Sequence, residues 1–276
     1  MSEHFHQAPR RLSIRLAHDD ADLAAVQRLR WRVFFAERGA GGVVPASGPQ
    51  APQRDAPERD ADDYDALCDH LLVIDEDAPA EDRVVGTYRL LRESIARTHT
   101  GFYSAGEFDL AALTEGPARP AGELLELGRS CVLARYRTSA TIALLWRGIA
   151  DYIARHGIGL MFGCASFPGT DVAAHAPGLS YLYHHHLADP AQRPRVLTDR
   201  VAAGSTAPLE QLAPGTYDER RALFQLPPLV KGYLRAGATF GDGAYIDGAF
   251  NTIDVCVVLP VDRIAGRYAA RFSAAA

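Results

Sequence analysis

The sequence predicts one mixed α/β sheet with helices on both faces, and three observations lead there. Strand-length apolar runs recur from residue 12 to residue 259, separated by segments whose apolar residues fall at steps of three and four. Strands precede, flank and follow the strongest helical segment, an order that suits one layered sheet better than two domains. No internal repeat and no clear boundary divides the chain. With 276 residues, 47% of them hydrophobic, the chain can bury a single sizeable core. The expectation is one domain over residues 12–272.

Leu12, Ile14 and Leu16 alternate as a first strand. Asp19 or Asp20 then starts a helix carrying Leu23, Val26, Leu29, Val33 and Phe34, which ends near Gly39. Its arginines Arg28, Arg30 and Arg32 are expected on an exposed side. Residues 41–63 are rich in Pro, Ala, Gly, Gln and Asp without apolar periodicity, so a flexible insertion is expected there. A loop of that length beside a site can serve as a lid.

Residues 69–75 and 83–91 read as a hairpin joined by an acidic, Pro-containing turn. The mixed stretch 92–114 is anchored by Phe102, Tyr103, Phe108 and Leu110. Residues 123–133 form the central strand, and Arg135 to Thr138 break its pattern. A helix follows, with Ile142, Leu145, Trp146, Ile149, Tyr152 and Ile153 on one face, Thr138 or Ser139 as N-cap and Gly157 as the stop. Residues 158–165 are a buried strand and 166–171 a turn into another helix, which contains His175, Leu179, Leu182 and Tyr183. The three histidines that end it, His184 to His186, lie about 100° apart on a helix and lack metal-binding spacing. Residues 204–217 are a Pro-rich loop, and Pro227 and Pro228 open a short helix. Strands at 244–247 and 252–259 and a closing helix over 261–272 complete the chain.

The formal net charge of −5 argues against general nucleic-acid binding. Positive charge is instead placed locally: from Leu127 to Ala150 there are four arginines and no acidic residue. Exposed N–H groups at the helix start near Thr138, with Arg135 and Arg137 before them, make a site for an anion such as a phosphate. Cys68, Cys131, Cys164 and Cys256 lack metal or redox spacing and are read as reduced, buried thiols of a cytoplasmic protein. Packing is their expected role; Cys131 or Cys164 as an acyl-carrying nucleophile is the alternative. No apolar run reaches the roughly 18–20 residues of a membrane span, and the polar residues 1–11 do not read as a signal peptide.

The element order, with a basic turn between the central strand and its helix, resembles the Gcn5-related N-acetyltransferase fold. Four stretches are similar to the bacterial ornithine acyl-carrier-protein N-acyltransferases, which begin ornithine-lipid synthesis. They are Glu126-Leu127-Gly128-Arg129-Ser130-Cys131-Val132, Arg135-Tyr136-Arg137, Leu160-Met161-Phe162-Gly163-Cys164-Ala165-Ser166-Phe167-Pro168-Gly169-Thr170-Asp171, and Pro227-Pro228-Leu229-Val230-Lys231-Gly232-Tyr233-Leu234. The resemblance covers most of the chain from Leu12 to Ile264, sparing the insertion. Autoinducer synthases share the Glu-x-x-Arg strand but carry Ser where Gly128 stands. Acetyltransferases of this fold cradle a coenzyme A diphosphate in a glycine-containing turn, whereas Arg135 to Ala140 holds no glycine, so close backbone approach by a diphosphate is harder.

The resemblance implies transfer of a long-chain, 3-hydroxyacyl group from acyl carrier protein to the α-amine of L-ornithine, giving lyso-ornithine lipid. It implies no resident cofactor, since phosphopantetheine arrives on the carrier protein. Arg135, Arg137, Thr138, Ser139 and Arg147 would hold its phosphate and the acidic carrier helix. Glu126 is the candidate base for the attacking amine, and Arg129 the candidate for the acceptor carboxylate or developing charge. Arg89, Asp171 and His175 are further acceptor-site candidates, for the carboxylate, the amine and a proton relay respectively. The insoluble product points to peripheral contact with the inner membrane.

That assignment carries a geometric condition. Residues three apart on a regular strand face opposite sides, so Glu126 and Arg129 share a pocket only if a bulge falls between them, and Gly128 suits one. The rival reading of the pair is an internal ion pair that fixes the sheet. Two other functions use the same features: a coenzyme A-dependent N-acetyltransferase of a small amine, and a non-catalytic module binding carrier protein or lipid.

Overall fold

The structure, a computed structural model, describes residues 10–37, 58–199 and 201–265. Along the chain come β1 (Leu12–Leu16), α1 (Asp20–Trp31), β2 (Asp69–Asp75), β3 (Val84–Arg92), α2 (Glu93–Ala96), β4 (Phe108–Asp109), α3 (Ala111–Thr114) and β5 (Glu123–Val132). They are followed by α4 (Ser139–His156), β6 (Ile158–Pro168), α5 (Val172–His186), β7 (Arg195–Val196), β8 (Thr206–Ala207) and α6 (Glu219–Gln225). Then come α7 (Pro228–Ala236), β9 (Thr239–Asp247), β10 (Thr252–Pro260) and α8 (Val261–Ala265).

The strands form one sheet in the order β1-β2-β3-β5-β6-β10-β9-β7-β4, with β8 on β9. Pairing is antiparallel except between β5 and β6 and between β7 and β9, so the sheet is mixed as expected. Alternation sends Leu71 and Val73 of β2 into a core built on α4, α5 and α7, and sends Leu72 and Ile74 to α1 on the other side. We call these the α4 face and the α1 face. The α1 face continues into a second cluster formed by Leu124, Leu160, Phe162, Cys256 and Val258 with Ala96, Phe102, Phe108 and Leu113.

Two irregularities in β5 set up the site. Joined by α4 as a crossover, β5 and β6 run parallel but pair only from Glu123 to Glu126 against Ile158 to Phe162. Beyond that point β5 stays with β3 while β6 continues along β10 as far as Pro168, so the two strands part. They touch last at Gly163, where a Cβ would stand 2.2 Å from the Leu127 carbonyl oxygen, an approach only glycine permits. The second irregularity is a bulge: Arg89 pairs with Gly128 but Thr87 pairs with Cys131, which leaves one extra residue in β5.

α4 has the expected ends. The Thr138 hydroxyl accepts from the Thr141 N–H at 3.3 Å, and Gly157 closes the helix at φ 62°. Ile142, placed on the apolar stripe by spacing, is instead 45% exposed. α1 is capped by Asp19 and runs on as a π-helical stretch, Arg32–Glu37, but Arg30 is fully buried rather than solvated. β6 runs through Ser166 to Pro168, so the turn before α5 is shorter than expected, and the Pro-rich loop contains β8. Of the four free thiols, Cys131 and Cys256 are buried while Cys68 and Cys164 are half-buried. Of the closing helix, residues beyond 265 lie outside the described residues, as do residues 41–57 of the insertion.

Candidate active site

On β5, strand alternation puts Leu124, Glu126 and Gly128 on the α1 face; a Cβ on Gly128 would stand 3.7 Å from Arg89 Nε. The bulge brings the next residue, Arg129, to the same face. Alternation then resumes, with Ser130 bonded to Tyr88 on the α4 face and Cys131 packed back toward α1. The bulge falls where the sequence placed it, but the strained residue is Arg129, at φ 49°, and not Gly128. A left-handed non-glycine residue costs roughly 1–2 kcal/mol, so packing around Arg129 must hold it there.

That packing is visible. The Arg129 guanidinium lies between two rings, 4.8 Å from the centroid of Tyr103 and 4.5 Å from that of Phe250, and pairs with Asp60 at 3.2 Å and Asp62 at 2.9 Å. Arg89 pairs with Asp62 at 2.5 Å and Asp65 at 3.1 Å, and Arg30 with Asp60 at 2.9 Å and Asp65 at 2.6 Å. Three arginines and three aspartates thus interlock beneath α1. Burial pushes the Asp62 and Asp65 carboxyls up, but the adjoining guanidinium groups outweigh it and hold both below the usual carboxylate range. Two expectations change here. The trailing end of the insertion is not loose, because Asp60 and Asp62 are locked into this network, and Arg89 is buried with its charge already matched by Asp62 and Asp65.

Glu126 is buried 3 residues before Arg129 on the same face. Its Oε2 accepts the Tyr103 N–H at 2.8 Å and its Oε1 the Ser104 N–H at 2.6 Å. The carboxylate therefore anchors the turn whose first residue, Tyr103, packs on Arg129. Burial pushes its pKa up, and the hydrogen bonds from Ser104 and Tyr103 oppose that rise.

A polar thread runs on from this turn. The Ser104 hydroxyl is 3.3 Å from the Cys164 thiol, which donates to Glu107 Oε2 at 3.2 Å. Carboxylate oxygens of Glu107, Asp247 and Asp254 all lie within 4.8 Å of one another. Burial, reinforced by Asp254 and Asp247, raises the Glu107 carboxyl well above its ordinary value, and burial lifts Asp254 to about 6. Burial also keeps the Cys164 thiol protonated, which removes the thiolate an acyl-carrying nucleophile needs. Sequence reasoning missed this trio. Its one signal was Asp254, a charge inside the otherwise apolar strand β10; Glu107 and Asp247 sit in irregular or strand-end contexts with no pattern.

The other predicted residues lie elsewhere. Arg135, Arg137, Thr138 and Ser139 are exposed at the start of α4, and Arg147 is exposed near its middle. Arg135 stands 5.1 Å over the Tyr136 ring, while Arg137 donates to the Val132 carbonyl at 2.9 Å and pairs with Glu37. Asp171 is the N-cap of α5, accepting from the Ala173 N–H at 3.0 Å. His175 Nε2 is 2.7 Å from the Pro168 carbonyl, and its ring packs 5.3 Å from Phe167, which points into the α4 face. Asp171 and His175 are therefore not gathered with Glu126 and Arg129 on the α1 face.

The sequence has clear relatives. The family description "acetyltransferase (GNAT) domain" matches residues 29–147. The L-ornithine N(α)-acyltransferase of Brucella abortus (strain 2308) is 46% identical over 267 residues, covering 96% of this chain and 90% of that protein. The enzyme of the same name from Agrobacterium fabrum is 46% identical over 259 residues, covering 93% and 83%. Among solved structures, FeeM, an N-acyl amino acid synthase from uncultured soil microbes, aligns with a TM-score of 0.49 at 11% identity, covering 94% of this chain and 96% of that one. Identity at this level along nearly the whole length of both relatives, with a matching acetyltransferase domain, makes this chain a member of the L-ornithine N(α)-acyltransferase family.

Proposed function

We propose that this acyltransferase moves a 3-hydroxyacyl chain from acyl carrier protein to the α-amine of L-ornithine, giving lyso-ornithine lipid. The observation that carries the reading is the bulge at Gly128 and Arg129, which puts Glu126 and a guanidinium on one face where β5 and β6 part. In the reaction the α-ammonium loses a proton, the amine lone pair attacks the thioester carbonyl, and the tetrahedral intermediate collapses with release of the carrier thiol. Glu126 is assigned as the proton acceptor: burial raises its pKa, against the opposing hydrogen bonds from the Ser104 side chain and the Ser104 and Tyr103 N–H groups. Arg129 is assigned to the acceptor carboxylate or developing charge on the condition that the substrate takes the place of Asp60 or Asp62 as its partner. The strand ends freed by the splay offer backbone groups to the pantetheine arm.

A glycine-free turn, exposed Arg135 and Arg137 at the α4 N-terminus and exposed Arg147 farther along the helix favour a carrier protein with one phosphate over a coenzyme A diphosphate. Thr138 and Ser139 are assigned to that phosphate. Among the described residues no helix is long and apolar enough to cross a membrane. Peripheral contact is assigned to α6, where Phe224 is 79% exposed beside Leu223, Lys231 stands 5.2 Å from its ring, and Arg220 and Arg221 are exposed on the same helix. Reliance on carrier protein places the enzyme in the cytoplasm.

The test is purified protein with L-ornithine and either 3-hydroxyacyl carrier protein or the matching coenzyme A thioester, read by mass spectrometry. N-acyl-ornithine formed from carrier protein, with release of the free thiol, supports the reading. Efficient transfer from the coenzyme A thioester alone, or acetylation of a small amine instead, overturns it.

A further inference from the structure

A base that is only 4% exposed must lose its proton again before it can serve a second time. The stoichiometry of acyl transfer makes this need unavoidable at Glu126. An ammonium that becomes an amide nitrogen sheds two protons, the departing thiolate takes one back, and the other is left over in every turnover.

The groups bonded to Glu126 differ in what they can do with that proton. The N–H groups of Tyr103 and Ser104 hold the carboxylate at 2.8 and 2.6 Å, but a peptide N–H only donates. The Ser104 hydroxyl also bonds to the Glu126 side chain, and a hydroxyl can accept one proton while giving up another. Its oxygen is 3.3 Å from the Cys164 sulfur, and that thiol donates to Glu107 Oε2 at 3.2 Å. Ser104 and Glu107 are each 1% exposed. Cys164 stands on β6 two residues beyond Phe162, the register partner of Glu126, so the bonded series links the two parting strands through the Ser104 turn. Carboxylate oxygens of Asp247 and Asp254 lie within 4.8 Å of one on Glu107, a gap that a single water spans. Asp247, at the end of β9, is half-exposed.

We infer that Ser104, Cys164 and Glu107 form a proton path that carries the surplus proton of each turnover from Glu126 toward Asp247 and solvent. The inference rests on the assignment of Glu126 as the base. At rest the hydroxyl donates to Glu126 and the thiol to Glu107. Once Glu126 is protonated the hydroxyl turns. Its oxygen accepts the Glu126 proton, its own hydrogen passes to Cys164 Sγ, and the thiol hydrogen passes to a carboxylate oxygen of Glu107. Each O–H or S–H bond that breaks is matched by one that forms, no electron is exchanged, and Glu126 is a carboxylate again. Glu107 then yields the proton past its acidic neighbours to water. Burial, reinforced by Asp254 and Asp247, raises the Glu107 carboxyl, which suits a group that holds a proton in transit. Burial likewise keeps Cys164 a thiol, so it hands hydrogen on without storing negative charge.

Rapid-quench measurement of acyl-ornithine, formed from 3-hydroxyacyl carrier protein and L-ornithine, tests the path in native protein, Cys164→Ala and Glu107→Gln. Thermal unfolding checks that each variant is folded. The path is needed only to discharge Glu126, so the first turnover should keep its native rate while later ones slow about tenfold or more. Product traces of the variants should then show a burst of about one acyl-ornithine per enzyme before the slow phase. Imidazole, a small soluble proton acceptor, should quicken that phase, and KM for ornithine should be unchanged. A role in packing alone would slow the first turnover as much as the rest. That result, or native-like later turnovers in both variants, overturns the inference while leaving acyl transfer intact. A slow phase indifferent to imidazole also overturns it, in favour of delayed product release. Near-normal turnover in folded Glu126→Gln removes the base and the path with it, and absence of acyl-ornithine from native protein refutes the proposed function itself.

Discussion

Glu126 reaches 22 residues back along the chain to accept the Ser104 N–H at 2.6 Å. One carboxylate thereby joins the strand that splays to the turn that carries Tyr103, so the proposed base is also a structural anchor. Glu126→Gln places an amide N–H₂ against one of two peptide N–H groups and should cost about 1–3 kcal/mol in stability. Turnover should fall further than stability explains, by about a hundredfold or more for loss of a general base. Thermal unfolding and steady-state rates measured together separate the two effects; near-normal turnover in folded protein removes the base assignment.

Gly163→Ala should be among the most damaging small changes in the sheet. Its new methyl group would stand 2.2 Å from the Leu127 carbonyl oxygen, at the last contact before β5 and β6 separate. We expect a loss of about 1–3 kcal/mol and reduced activity from a widened gap, measurable by chemical denaturation. A variant of unchanged stability would mean that the strands do not need this close approach.

Asp254 should make stability depend on pH in a defined window. Its carboxyl is lifted to about 6 in the folded protein against about 3.9 in an unfolded chain, so the native state favours the protonated form. The contribution is complete below the unfolded value and is lost as pH rises through about 6. Asp254→Asn cannot ionise. Relative to their difference at pH 4, the variant should therefore gain a few degrees of melting temperature over the native protein by pH 7. A difference that stays flat between pH 4 and 7 would contradict the raised carboxyl.

Reversing charge before and along α4 should affect one donor and spare another. Arg135→Glu with Arg147→Glu, both at exposed positions, should raise KM for acyl carrier protein about tenfold and weaken its salt dependence, without lowering the melting temperature. A coenzyme A thioester used as a poor substitute should be little changed. Equal effects on both donors would move the carrier-docking surface elsewhere.

Phe224→Asp tests the membrane contact. Co-sedimentation with vesicles containing anionic lipid should drop several-fold, since both the apolar tip and its basic neighbours are offset. Activity on soluble substrates should persist. Undiminished sedimentation would free α6 from that role.

How much of this was legible in the sequence depends on what each residue answers to. α4 was readable to its ends because Thr138 and Gly157 are local signals, and the hairpin of β2 and β3 because its apolar run is nearly continuous. The bulge could be placed because a strand's two-residue period forbids Glu126 and Arg129 from sharing a face without it. Its strained residue could not, since Arg129 is held at positive φ by Tyr103, Phe250, Asp60 and Asp62, contacts that span up to 121 positions. Arg30 read as solvated because its partners Asp60 and Asp65 lie in a segment whose composition looks loose. The acidic trio combines residues 107, 247 and 254, and only the fold brings them together.

The parted strands leave room for two guests at once. β5 quits β6 beyond Glu126, and the freed edges flank the face that carries Glu126 and Arg129. On the proposed reading, a donor arm between the strands and an acceptor beside Glu126 need not take turns. With Cys164 kept as a neutral thiol, that residue stores no cargo between visits. Initial-rate plots should then intersect, as they do when both guests must be seated at once, and parallel lines would reveal a hidden relay.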